Sequence, residues 1–327
     1  MSVANSAARI INSLLRPFDI KISRLSASIN HIPTQIDSTA VVERAITAAP
    51  NQIEIREVEI PFSPDTWVMI ETKYDANLWI DLGDVGVSRA CMKETFEVME
   101  TNFVRSFLKK GDTFLDIGAN IGWFTIVAAQ CVGDEGVIHA FEPRNTTFKY
   151  LEKTIAINGL EQRIFAHHCA LGAESGKLRI VWGTQTSNPG GTWLVSRKAV
   201  SDMLPTTTHS YQDIDVRRLD DFEQIQQVQL MKIDVEGAEP LVLKGSTELL
   251  RRSRPVILSE INEELLRIVG NSSSVELIDW MQTMGYDCFE LTTNGLGQQL
   301  GRTNGAFPAI VNVLFVPSEF DRSKLRY

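Results

Sequence analysis

Long apolar runs, paired cysteines and concentrated positive charge are what this sequence has least of. No stretch stays apolar for the roughly 20 residues that a bilayer-spanning helix needs, and the first residues lack the basic, apolar and small-residue order of a secretory leader. The expectation is a cytoplasmic protein without a transmembrane segment. The 4 cysteines, Cys91, Cys131, Cys169 and Cys288, are scattered. They form no close pair of the kind that a zinc site or a disulfide framework uses, so they read as buried free thiols. Of the 5 histidines only His167 and His168 adjoin. Neighbours on a strand face opposite sides and cannot grip one metal ion together. Lysine and arginine number 32 against 41 acidic residues, a net charge of -9 with no basic cluster. Such a field repels phosphate backbones, which excludes a nucleic acid partner.

What is present suits an ordinary globular chain, with 43% hydrophobic and 22% charged residues. Residues 1–52 read as a helical and flexible extension, with a short amphipathic stretch at Ile10 to Leu15 that stops at Arg16-Pro17 and folds back on its own domain. Residues 53–110 read as a small β-rich subdomain and a leading helix. Apolar and charged residues alternate from Ile53 to Ile60, and short strands are expected at Trp67 to Ile70 and Leu78 to Leu82. Lys93 to Lys109 follows as a helix with Phe96, Met99, Phe103 and Phe107 on one side.

From 111 to 320 strands alternate with helices. Strands are expected at Thr113 to Ile117, Gly136 to Phe141, Ile164 to Cys169, Leu230 to Asp234 and Pro255 to Glu260. Helices are expected at Trp123 to Cys131 and from Tyr150 to Ile157. This rhythm builds a doubly wound parallel sheet whose ligands bind beyond the carboxyl ends of the strands. A Ser, Thr, Pro and Gly-rich segment at 183–211 interrupts it and reads as a lid-like loop.

The strongest motif is Asp116-Ile117-Gly118-Ala119-Asn120-Ile121-Gly122, between the first strand of this region and its helix. Its glycines allow a sharp turn and a close approach to a ligand, and the helix start beyond offers N–H groups to an anion. A nicotinamide fingerprint would need a glycine where Asn120 stands, and Asp116 would repel a pyrophosphate. An acid there suits instead the ammonium group of S-adenosylmethionine (SAM). Glu142, at the tip of the next strand in Ala140-Phe141-Glu142-Pro143, is placed to accept the two hydroxyls of a ribose. A third motif, Lys232-Ile233-Asp234-Val235-Glu236-Gly237-Ala238-Glu239, crowds carboxylates at another strand end. Crowded carboxylates raise one another's pKa, which can poise a base or create a divalent metal site. Glu260, closing the following strand, is expected beside them. Glu239 reads as a partner of its helix dipole.

Together these stretches, with Leu219-Asp220-Asp221-Phe222, Leu243-Lys244-Gly245 and Arg254-Pro255, resemble the FkbM family of SAM-dependent methyltransferases from about Phe96 to Phe315. The resemblance implies a class I methyltransferase fold, Rossmann-like, with a mostly parallel seven-stranded sheet. It implies SAM contacts at Asp116, Gly118, Asn120, Gly122 and Glu142, with the adenine near Ala170 and Leu171. It also implies a catalytic or metal-linked role for Asp234 and Glu236. The expected reaction is methyl transfer to a hydroxyl of a sugar, a glycan or a small metabolite, in glycan or secondary metabolite biosynthesis.

Asp234 is the expected base, assisted by Glu236 or Glu260. A divalent metal such as magnesium would fall at Asp234 and Glu260. His168 reads as a packed strand residue near the adenine. The alternatives are a non-catalytic SAM-binding module, a nicotinamide oxidoreductase disfavoured by Asn120, and an N-methyltransferase, whose Asn-Pro-Pro-Tyr type loop the chain lacks. The partner is a small-molecule or glycan substrate, and the composition is compatible with a homo-oligomer.

Overall fold

A computed structural model describes residues 22–25, 65–84, 86–183, 192–195, 209–301 and 309–325. The expected helix at 10–15 and the alternating stretch at 53–60 lie outside them. Strands β1 (Ile22–Leu25), β2 (Trp67–Thr72) and β3 (Ala76–Asp81) form a three-stranded antiparallel sheet. Its inward residues, Trp67, Val68, Ile70, Leu78 and Ile80, belong to the same apolar cluster as the helices described below. Trp67 stacks on Tyr150 with ring centres 3.6 Å apart.

The expected helix at 93–109 begins later, and a separate short helix precedes it. Helix α1 (Val87–Met92) ends at Lys93, and α2 (Val98–Phe107) starts after Glu97. Glu94 and Glu97 between them adopt left-handed conformations, with φ 56° and 39°. Such a conformation costs a non-glycine residue about 1–2 kcal/mol, and an apolar periodicity of three and four cannot reveal it.

Then the alternation begins: β4 (Thr113–Ile117), α3 (Trp123–Val132), β5 (Val137–Phe141), α4 (Asn145–Ile157), β6 (Ile164–His167) and β7 (Ala170–Leu171). After β8 (Gly176–Gly183), β9 (Thr192–Val195) and β10 (His209–Arg217) come β11 (Leu230–Ile233), α5 (Glu239–Lys244), α6 (Thr247–Ser253), β12 (Val256–Asn262), α7 (Glu263–Ile268) and α8 (Ser274–Thr283). The chain closes with β13 (Tyr286–Thr292), β14 (Gly295–Leu300) and β15 (Ile310–Pro317).

Eight strands build the central sheet in the order β14-β13-β15-β12-β11-β4-β5-β6. The resemblance implies seven strands and the sheet has eight; β4, β5, β6, β11 and β12 answer to strands expected from the sequence, and β14 pairs on the β13 edge as a hairpin partner. Pairing is parallel from β12 through β6, while β15 runs antiparallel to both β12 and β13. The chain winds outward from β4 to β6 and then restarts at β11 on the other side of β4. That reversal is a topological switch point, where the crevice of an open α/β sheet lies. Side chains alternate across the sheet: Phe114, Leu230 and Leu258 face one apolar cluster, while Leu115, Ile117, Met231, Ile233 and Ile257 face the other.

The expected strand from Ile164 to Cys169 ends at His167 as β6, and beyond it β7 pairs with β10 and not with the central sheet. Strands β7, β10, β8 and β9 make a second, four-stranded sheet. The expected lid at 183–211 is therefore strand at both described ends and at 192–195. Ile180, Ile214 and Val216 are buried on one face of this sheet with Ala170. On the other face Lys177 pairs with Asp215 at 2.6 Å and Arg179 with Asp213 at 2.8 Å, directly across the antiparallel register. Among the described residues no helix is long and apolar enough to cross a membrane.

Candidate active site

Two loops cross at the switch point. Gly118, with φ 85°, leaves β4 so close to the end of β11 that a Cβ there would stand 1.9 Å from the carbonyl oxygen of Asp234. Only a residue without a side chain fits. The loop is pinned from both sides: the N–H groups of Gly118 and Ala119 donate to the carbonyl of Phe141 at 3.0 and 2.9 Å, and Asp234 N–H donates to the carbonyl of Ile117 at 3.0 Å. Asn120 (φ 50°) and Gly122 (φ 96°) complete the turn into α3.

A cleft opens here, with a volume of about 1050 Å³ including the solvent at its mouth. Gly118, Asn120, Glu142, Ala170, Leu171, Asp234 and Glu236 all line it, so most of the residues expected to serve cofactor and chemistry are brought together. Its walls beyond Glu142 are apolar, from Phe141, Cys169, Leu171 and Ile180, the last contributed by the second sheet. Val87 and Phe96 close the cleft from the segment ahead of β4.

Three expected residues do not line the cleft. Asp116 is the penultimate residue of β4 rather than part of the turn, and its side chain points into the sheet face beneath α3. There it is 1% exposed and accepts the Thr125 hydroxyl at 2.5 Å. Burial pushes its carboxyl up to about 6. Gly122 sits at the start of α3, where its open side faces Leu151 of α4. Glu260 belongs to β12, paired with Asn312 of β15, and faces the acidic group from the side. His168 stacks on Phe148 at 4.4 Å, away from the cleft lining.

Glu142 is 8% exposed. It accepts the N–H of Asn120 at 3.1 Å on one oxygen and that of Arg144 at 2.8 Å on the other. Burial pushes the carboxyl up to about 7 against those two hydrogen bonds. Arg144 lies over the Trp182 ring at 4.4 Å and so ties this loop to the second sheet. Gln212 of β10 adds to the tie, accepting from Asn145 N–H at 2.9 Å and donating to the Pro143 carbonyl at 3.0 Å.

The opposite end of the cleft is acidic and centred on Lys232, which is 4% exposed. Its ammonium donates to Asp234 at 2.8 Å, lies 3.4 Å from Glu97 and faces the Phe124 ring at 4.4 Å. Burial opposes that charge, but Asp234, Glu97 and Asp116 outweigh it and hold the lysine above its ordinary range. Burial, then Asp234 and Glu260, push Glu236 up to about 7. Glu236 itself is left-handed, with φ 53°. Asn120, Glu236 and Glu97, three of the non-glycine residues with positive φ, thus meet around one cleft. Strain of this kind gathers where surrounding structure holds functional groups in place. Buried Glu239 accepts the N–H groups of Val235 and Gly237, each at 3.2 Å, and so braces the turn that leads into α5.

Magnesium does not fit. Among the described residues no three His, Cys, Asp or Glu side chains could hold a metal ion, and the Lys232 ammonium already takes the cation's place beside Asp234. SAM does fit. The cleft joins a buried carboxylate braced by two backbone donors to apolar walls and an acidic far end, which suits a nucleoside that carries a positive charge. Sequence reasoning missed Lys232 as a hub, although Lys232 and Asp234 at i and i+2 share a strand face. It also missed Glu97, for which the chain carries no local signal.

A doubly wound sheet with a reversed strand at β15 and this cleft at its switch point define a class I methyltransferase fold. Residues 116–288 match the Methyltransferase FkbM domain. The chain belongs to that family. "Methyltransferase 1" of Beauveria bassiana is 33% identical over 150 residues, 41% of this chain and 58% of that protein. "Methyltransferase sdnD" of Sordaria araneosa is 27% identical over 156 residues, again 41% of this chain and 60% of that protein. The chain thus spans less than two thirds of either relative. The crystal structure of Methyltransferase FkbM from Methylobacillus flagellatus covers 70% of this chain and 52% of that one, with 15% identity and a TM-score of 0.39.

Proposed function

We propose that the protein transfers a methyl group from SAM to a hydroxyl of a sugar, a glycan or a small metabolite. The observation that carries this reading is the pairing, in one cleft, of the braced Glu142 carboxylate with the acidic end at Asp234 and Glu236. Glu142 would hold the ribose, Ala170 and Leu171 the adenine, and the loop from Gly118 to Asn120 the methionine portion. Bound SAM supplies an activated methyl group on a sulfonium sulfur.

The chain's own part is orientation and proton removal. Alcohols lose their proton reluctantly, so a carboxylate at the acceptor oxygen assists, and alignment of the reacting atoms contributes the larger share of the acceleration. Asp234 is that carboxylate in this reading. Lys232 fixes one of its oxygens, and Glu236, held near neutrality, stands next in the cleft to relay the proton outward. Glu260 acts on the site only through its charge, since it does not line the cleft.

The test is Asp234→Ala. Transfer of labelled methyl from SAM to hydroxylated low-mass acceptors should fall at least 100-fold, with S-adenosylhomocysteine binding within threefold of wild type. Turnover retained in the variant removes Asp234 from the mechanism.

A further inference from the structure

Two carboxylates share one ammonium at the acidic end of the cleft. Asp234 follows β11 inside the family match, whereas Glu97 lies ahead of it, at the start of α2. Glu97 reaches Lys232 from a left-handed backbone, with φ 39° and ψ 55°, and that break in the chain aims the side chain across to β11. Phe96 beside it lines the cleft. The segment before the methyltransferase domain therefore contributes to the site directly.

The consequence is a matter of charge. When Glu97 is ionised, Lys232 cancels one of its two partners and one negative charge remains beside the cleft. When Glu97 is protonated, Lys232 cancels Asp234 and this trio is neutral, with Asp116, Glu236 and Glu260 the acidic groups left around it. We propose that Glu97 is a positioning residue for the methyl-transfer centre, sharing the Lys232 ammonium with Asp234 so that a net negative charge faces the sulfonium end of SAM. The inference rests on the reading of the cleft as a SAM site.

Protonation of Glu97 follows from its surroundings. Burial pushes its carboxyl up to about 8, with Lys232 pulling it down and Asp234 and Glu100 adding to the rise. The buried Cys91 thiol faces it from α1, while Asp116 from β4 and Glu260 from β12 face Lys232 and Glu100 beyond it.

SAM and S-adenosylhomocysteine differ by one methyl and one positive charge, so the ratio of their dissociation constants isolates the charge near sulfur. Calorimetric titration of both ligands at pH 6.5 and pH 9.0 compares wild type with Glu97→Gln. Glu142, Glu236 and Glu239 titrate across this window in both proteins, and the comparison cancels them. In wild type the preference for SAM should grow with pH by about fivefold more than in the variant, as expected for one unit charge a few ångströms away behind a partly solvated wall. S-adenosylhomocysteine affinity within threefold of wild type at pH 6.5 shows that the variant is folded. A purely structural role for Glu97 would leave the two pH responses equal, and that result overturns the inference alone. A wild type that binds neither ligand overturns the SAM reading and this inference with it.

Discussion

Gly118→Ala separates a cleft that depends on two crossing loops from one that merely lies near them. The added methyl would stand 1.9 Å from the Asp234 carbonyl oxygen, whereas ordinary contact begins at 3.4 Å, so one backbone must retreat by 1.5 Å. Neither is free to do so. The Gly118 loop is held by the Phe141 carbonyl, and Asp234 is held by the Ile117 carbonyl. Alanine at φ 85° also carries left-handed strain of about 1–2 kcal/mol. Overpacking against backbone adds about 1–3 kcal/mol. The sum, about 2–5 kcal/mol, should lower the melting temperature by roughly 3–7 °C in a chain of this size. Binding should suffer more. A displacement on the order of 1 Å in a positioned group can cost about 100-fold in rate, and here it moves the cofactor loop and the acidic loop together, so cofactor affinity falls as well. Circular dichroism melts and calorimetric titration with S-adenosylhomocysteine measure both effects. A variant that melts within 2 °C of wild type (about 1 kcal/mol or less) and binds within twofold would show that the loops can part without consequence, and the account of the cleft would be wrong.

Glu142→Ala removes the acceptor of two backbone N–H groups as well as the proposed ribose contact. S-adenosylhomocysteine binding should weaken about 100-fold, from the loss of a charged hydrogen-bonding group worth about 1.5–3 kcal/mol; titration giving less than a threefold change would move the ribose elsewhere. The protein without ligand should lose stability as pH rises from 5 to 8. Glu142 and Glu236 are pushed up to about 7, Glu239 to about 8 and Asp116 to about 6, in each case chiefly by burial. The folded chain therefore keeps protons that the unfolded chain has released, and the native state is favoured at the low end of that window. Urea unfolding at pH 5.5 and pH 8.0 checks the sign, and a midpoint that rises with pH contradicts it.

Apart from β13, β14 and β15, for which no strand was expected, the central sheet was legible because its strands are largely apolar and its helices follow at the expected period, as in Phe114 to Ile117 leading into Trp123 to Val132. The second sheet was not. Over Lys177 to Ile180 and Asp213 to Val216 apolar residues stand only at alternate positions, and Lys177, Arg179, Asp213 and Asp215 fill the others with charges that look like a solvated loop until each meets its opposite across the register. The helix at 93–109 was misread for a different reason. Phe96 and Phe103 keep helical spacing across a break that Glu94 and Glu97 impose through backbone conformation alone.

At the site, motif logic succeeded where the functional group and its glycine turn are neighbours in sequence, and it failed by one position at Asp116. A strand's side chains change face at every residue. Placing the acid in the turn aims it at the ligand, but placing it two residues before Gly118 and inside β4 aims it beneath α3, at Thr125. In that position it faces Lys232 in the register of the adjoining strand, so it supports the lysine rather than the ligand. The acidic motifs after β4 and β11 are then one device rather than two. Each strand places a charged residue on the same buried face, Asp116 from one and Lys232 from the other, and the lysine carries that buried charge outward to Asp234 at the cleft. Glu97 completes the arrangement from a part of the chain where no motif points to it. Only the fold could bring it there, because its reach depends on a backbone break that composition and spacing leave open.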